Sequence, residues 1–233
     1  MNRTAVIHQP DFLPYLGFFE RLLHADVFVL LDQAQYVDST SRSWTHRDKI
    51  KTPQGARWIS LSIRSAPRDT PINQIELSDQ VDWRRNNLNL LRENYRKAPF
   101  FDEIFPRLEQ LYARTDRRLA DFNRASIELL LELFDVRVEI VTASSLGVSG
   151  KNNDLLVDIL GKVHADRYLS GVGARAYFRP EPFANAGIEV LWQEFQHPAY
   201  PQLHGDFIPY LSSIDLLLNC GTDQSRRILR NAE

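Results

Sequence analysis

Short apolar runs alternate with helical patterns along most of this chain, and that alternation limits the folds open to it more than any other feature. Runs at residues 4–8, 27–31, 136–142, 167–170 and 188–192 have the length and residue content of strands. Between them, residues 14–23, 155–163 and 181–186 read as helices, with Pro14 in a first turn where a missing N–H costs nothing. Such alternation predicts helices packed on both faces of one sheet, an α/β three-layer sandwich around mainly parallel strands. Residues 57–63 and 72–77 read as further strands, antiparallel additions at one edge. From residue 82 to 134 the period changes: Leu88, Leu91, Tyr95, Leu119, Phe122, Ile127 and Leu130 recur at helical spacing, with breaks at Ala98-Pro99 and Thr115-Asp116. A chain of 233 residues suits one core, so residues 1–233 are expected to form a single α/β domain, with 82–134 a helical insertion or crossover.

Composition excludes several classes of function. Hydrophobic residues at 43% and charged residues at 25% are ordinary for a globular chain and leave no room for a long disordered tract. A formal charge of −2 supplies no global basic field, so a dedicated DNA-binding role is not expected. The one cysteine, Cys220, can form neither an intrachain disulfide nor a thiolate metal site alone, and it reads as a small buried residue. The first apolar run ends at His8, too early for a secretory leader, and no run approaches the ~20 residues of a membrane span. The expected location is the cytoplasm.

In an open α/β sheet, ligands sit beyond the carboxyl ends of the strands, where strand order reverses. That rule selects His8, Gln9, Asp11 and Tyr15 after the first strand and Asp32 after the second. After residues 136–142 it selects Ser144 and Lys151, and after 167–170 it selects Ser170, Gly171, Gly173 and Arg175. If the first strand and the 136–142 strand are neighbours that diverge, their loops share one crevice. His8 ranks first as a catalytic base, because a strand-terminal imidazole titrates near neutrality. The glycines allow close backbone approach to a ligand, and Arg175 can hold an anion bidentately. Lys151 opens a helix and adds a second cation, although the spacing is not that of a P-loop.

Residues 195–207 are aromatic and polar without period, as in a loop shaped over a site. They bring His197 as a second acid–base candidate, with Tyr200, Gln202 and His204 as substrate contacts. His197 and His204 lack metal-ligand spacing, so no metal site is expected. Trp44 with Arg47 is a candidate stacking or anion-pairing surface, and Asp215 a further candidate contact.

Many of these segments also resemble a known family. The opening run from Ile7 to Phe19, Ala25 to Asp32, Trp44 with Arg47, Tyr168 to Ala174, Ala186-Gly187-Ile188, His197-Pro198-Ala199-Tyr200-Pro201-Gln202, and Leu211 to Gly221 resemble the WbqC-like family nearly end to end. The resemblance implies a bacterial protein of surface-polysaccharide (O-antigen) or other specialised biosynthesis. It also implies a transferase that places an acyl or aminoacyl group on an amino sugar, with an acyl donor or an aminoacyl-tRNA as co-substrate. The N-terminal strand–loop–helix is similar to that of nucleotidylyltransferases and class I synthetases, which implies a Rossmann-like, HUP-like sheet. Their H-x-G-H motif, which holds ATP phosphates, corresponds here to Tyr15-Leu16-Gly17-Phe18, without either histidine. An ATP-dependent ligase or nucleotidylyltransferase and a non-catalytic sugar-nucleotide-binding protein are the alternatives. For a tRNA donor the candidate contacts are Arg84, Arg85, Arg92, Arg96, Lys97, Arg117 and Arg118.

Overall fold

A computed structural model describes residues 3–37 and 43–231. Five parallel strands form the central sheet: β1 (Thr4–His8), β2 (Val27–Leu30), β5 (Glu139–Thr142), β6 (Arg167–Ser170) and β7 (Glu189–Trp192), in the order β5-β2-β1-β6-β7. The pleat divides their side chains between two cores, because successive residues of a strand point to opposite faces. Ala5, Ile7, Val27 and Val29 face a smaller core with α5 (Asn152–Lys162) and α6 (Pro180–Asn185). Val6, Phe28 and Leu30 face a larger core with α1 (Leu16–Leu23), α4 (Leu119–Phe134) and α7 (Ile214–Arg230). Burial on both faces explains why β1 and β2 read as continuous apolar runs. The result is a Rossmann-like three-layer α/β sandwich.

Helices α2 (Trp83–Tyr95), α3 (Phe101–Tyr112) and α4 lie between β2 and β5 in chain order, and the two expected breaks fall between them. Asp82 caps α2 by accepting the backbone N–H of Arg85 at 3.1 Å.

Two expectations are corrected. The segment at 57–63 does not extend the sheet: β4 (Gly55–Ser60) pairs antiparallel with β3 (Arg47–Thr52) in a separate two-stranded ribbon. Residues 72–77 are not a strand but a short 3-10 turn, Ile72–Gln74, followed by isolated bridges from Glu76 and Leu77. Their apolar spacing explains it, since Ile72 and Ile75, both fully buried, stand three apart rather than two.

The neighbours of β1 also differ from the arrangement considered above. The strand at 139–142 pairs with β2, so β1 lies between β2 and β6. Pairing of β1 with β2 runs from Ala5 to His8, whereas pairing with β6 covers only Thr4–Ala5 against Arg167–Tyr168. Beyond Ala5 the two central strands part. Chain order reverses between the same two strands, which places the ligand crevice of this topology between the ends of β1 and β6.

Candidate active site

The loop that closes β1 carries the candidate residues Gln9, Asp11 and Tyr15 and is held from three sides. Asn123 of α4 donates to the Pro10 carbonyl at 2.7 Å and the Thr45 carbonyl at 2.6 Å. Ser212 donates through its hydroxyl to the Leu13 carbonyl at 2.7 Å, and Ser213 through its N–H to the Pro14 carbonyl at 3.0 Å. The Phe12 N–H reaches the Trp44 carbonyl at 3.0 Å. Leu13 is kept at a positive φ of 43°, a conformation that persists only where its surroundings fix it.

Within that frame His8 and Asp11 face each other, with His8 Nδ1 3.6 Å from Asp11 Oδ2. His8 Nδ1 lies 3.0 Å from the Gln9 carbonyl, which accepts its proton and leaves Nε2 as a lone pair. Burial first and the Arg21 charge second lower the His8 pKa to about 3. The imidazole is therefore neutral. Asp11 is pushed the other way, up to about 7, by burial against a smaller opposing effect of Arg21.

A second carboxyl stands beside it. Asp48 of β3 is buried, and its Oδ1 accepts the Lys49 N–H at 2.6 Å. Burial raises its pKa well above the usual range, and the Asp11 charge adds to the rise. Like charges that act on each other resist ionising together, so each carboxyl favours the protonated form of the other.

Arg21 closes the group. It lies on α1, 5% exposed, and Asp11, Tyr15, Glu20 and Tyr168 all act on its charge. Gly171, the first residue after β6, packs on the guanidinium: a Cβ there would stand 2.7 Å from Arg21 Nη1. His8, Asp11, Arg21 and Gly171 thus connect the two diverging strands across the crevice.

An aromatic wall continues from Tyr15. Its ring meets Phe195 at 6.0 Å and Tyr210 at 6.1 Å, and His197 packs on Phe195, Phe207 and Tyr210. His197 Nδ1 lies 3.0 Å from the Pro198 carbonyl, its Nε2 is buried without a partner, and burial lowers its pKa. Gly17 exists for this packing, because a Cβ there would lie 2.6 Å from the Tyr15 ring and 2.7 Å from that of Phe195.

Several other candidates are held by internal contacts, and the rest lie exposed. Asp32 accepts the Ser144 hydroxyl at 2.6 Å, the Ser144 N–H at 3.0 Å and the Asn73 amide at 3.0 Å, tying the ends of β2 and β5 together. Asp215, fully buried, accepts from Tyr95, Tyr200 and Gln202 at 2.7, 2.9 and 2.8 Å. His204 Nε2 meets the Asn94 carbonyl at 2.7 Å. The polar groups of Tyr200, Gln202, His204 and Asp215 therefore anchor the 195–211 segment rather than face the crevice. Ser170 is buried and donates to the Tyr168 hydroxyl at 3.3 Å. Arg175 lies 5.1 Å over Trp192, a Cβ on Gly173 would touch nothing, and Lys151 is exposed at the start of α5. Arg47 stacks on Trp58 at 4.3 Å, with Trp44 5.5 Å from the same ring system. Among the arginines considered for tRNA, Arg84 pairs with Asp79 and Arg92 with Glu109.

The family model described as the WbqC-like protein family matches residues 9–227. The chain belongs to this family. The chain is similar to the protein Rv1507c of Mycobacterium tuberculosis, 28% identical over 225 residues that cover 96% of each chain. No solved structure matches the sequence. Among the described residues no helix is long and apolar enough to cross a membrane.

Two residues of this candidate site escaped the strand-end rule, Arg21 and Asp48. The signal for Arg21 was present: Leu16, Phe18, Phe19, Leu22 and Leu23 leave an eight-residue helix apolar on every side, so Glu20 and Arg21 had to be buried too. For Asp48, in the run Arg-Asp-Lys-Ile-Lys-Thr, the sequence carries no comparable signal.

Proposed function

We propose that this WbqC-like protein is a bacterial biosynthetic transferase that moves an acyl or aminoacyl group onto a primary amine, with a nucleotide-linked amino sugar as the acceptor class. The observation that carries this reading is the combination of two carboxyls of raised proton affinity, the part-buried Asp11 facing His8 and the buried Asp48 on which the Asp11 charge acts. The amine nitrogen attacks the acyl carbon, a C–N bond forms, and the bond to the donor's leaving group breaks. The proton released by nitrogen passes to the Asp11 carboxylate, whose affinity matches neutral pH. Protonated Asp48 donates a hydrogen bond to the developing oxyanion and then a proton to the leaving group. His8 Nε2 accepts a hydrogen bond from the amine and orients its lone pair. This assigns the base to Asp11, since an imidazole lowered to about 3 is too weak a base for the purpose.

The test is incubation with acyl thioester or aminoacyl donors and an amino sugar, read by mass spectrometry of the N-acylated product. Product with wild type and none with folded Asp11→Asn is the expected result. Magnesium-dependent release of pyrophosphate from ATP would replace this reading with the ligase alternative. Tight binding of a sugar nucleotide without turnover under any donor would replace it with a binding protein.

A further inference from the structure

We propose that Arg21 and the backbone at Gly171 form an oxyanion subsite in the crevice between β1 and β6, so that one substrate presents a phosphate or carboxylate group there. The inference rests on the site reading above and adds the class of group that the site recognises. Arg21 is 5% exposed, and its side chain makes no hydrogen bond or ion pair among the described residues. Its Nε is buried outright, while Nη1 and Nη2, equally unbonded, keep a little accessible surface. The guanidinium is thus sealed at its stem and open at its tip.

An unpaired cation in that position is costly, and folded proteins satisfy nearly all buried polar groups. Neighbouring acids do not supply the missing partner. Glu20 is engaged by the Gln193 amide and by His24 Nε2 at 3.1 Å, and Asp11 holds a proton for part of the time at neutral pH. Tyr15 and Tyr168 stay neutral, their pKa values raised by burial, so their hydroxyls remain donors rather than counter-charges. A planar fork of unpaired N–H groups is the geometry that binds a phosphate or carboxylate with two parallel hydrogen bonds. Gly171 makes the approach possible: its φ of −73° suits any residue, but any side chain there would strike the guanidinium. The glycine is required by close approach rather than by backbone conformation. The other candidate cations lack this combination, with Arg175 stacked on Trp192 and Lys151 exposed at the start of α5.

The test is isothermal titration of the full chain with inorganic phosphate and, separately, with acetate, both at constant ionic strength. Saturable heat with phosphate alone identifies a phosphate-bearing substrate, and with acetate alone a carboxylate-bearing one. Arg21→Met should weaken the binding at least tenfold, and Gly171→Ala, which keeps the charge but displaces Nη1, should weaken it in the same direction. Asp11→Asn should bind the anion while losing transfer, which separates failure of this subsite from failure of the catalytic reading. No saturable heat with either anion in wild type, or equal affinity in folded Arg21→Met and Gly171→Ala, overturns the proposal.

Discussion

Replacing Asp11 by Asn tests the central electrostatic argument without requiring a substrate. The Asp11 carboxyl makes no hydrogen bond among the described residues, its nearest polar contact being His8 at 3.6 Å, so the isosteric amide disturbs no hydrogen bond. In the folded protein Asp11 keeps its proton up to about pH 7, while in the unfolded chain it loses it near 3.8. Between those values the folded state binds more protons, so the contribution of Asp11 to stability falls as pH rises and is fully lost above 7. At roughly 1.4 kcal/mol per pKa unit the whole loss is about 4 kcal/mol, a ceiling because the side chain keeps 14% of its surface. His8 acts with the opposite sign. Its pKa falls from 6.5 to about 3 on folding, so its contribution rises with pH across that window. From about pH 4 to 6.5 the two slopes oppose each other in wild type. Asp11→Asn removes one of them, and only the difference between the two proteins isolates Asp11. Thermal melts at pH 4 should nearly coincide, and at pH 8 the variant should melt higher by up to roughly 8–16 °C for a chain of this size. Parallel curves from pH 4 to 8 would mean that Asp11 titrates as an ordinary carboxyl, and its role as base would be withdrawn.

Asp48→Asn should likewise raise stability at high pH while lowering turnover, because the amide keeps a donor for the oxyanion but has no proton for the leaving group; unchanged kcat would remove Asp48 from the mechanism. Asp215→Ala leaves Tyr95, Tyr200 and Gln202 without their shared acceptor and the buried Lys51 ammonium with only the Gly205 and Asp206 carbonyls. Chemical denaturation should show a loss of about 3–5 kcal/mol. Gly17→Ala forces a methyl to within 2.6–2.9 Å of the Tyr15 and Phe195 rings, and should cost about 1–3 kcal/mol in the same assay.

Strands β1 and β2 were legible because each is buried on both faces, so its apolar run is unbroken, while the edge strands β5 and β7 are half-buried and were read from their alternation with helices. The ribbon strand β3 was not, and the reason is the site itself. Arg47–Thr52 offers one apolar residue, Ile50, and buries Asp48 and Lys51 beside it, inverting the pattern by which a strand is recognised. Lys51 is there to hold the backbone of the 204–207 turn, and Asp48 is there beside Asp11. Among candidate residues, His8 and Asp11 followed from the strand-end rule alone. Asp32 and Asp215 could not be separated from them by sequence, because an acid whose carboxyl has no internal donor and an acid that receives three internal donors are written with the same letter.

If Arg21 receives an oxyanion as proposed, charge in the crevice also couples substrate binding to proton affinity. Arg21 lowers the pKa of Asp11 against the larger effect of burial, and the balance stands at about 7. An oxyanion bound on the guanidinium cancels that cation and brings a like charge toward Asp11, and both effects favour the protonated carboxyl. Asp11 should therefore become a stronger base once the substrate is seated. The acid limb of the kcat profile, which reports the loaded enzyme, should lie above the midpoint near pH 7 obtained from the stability difference between wild type and Asp11→Asn. A kcat limb below that midpoint would mean that the anion and the proton do not share this crevice.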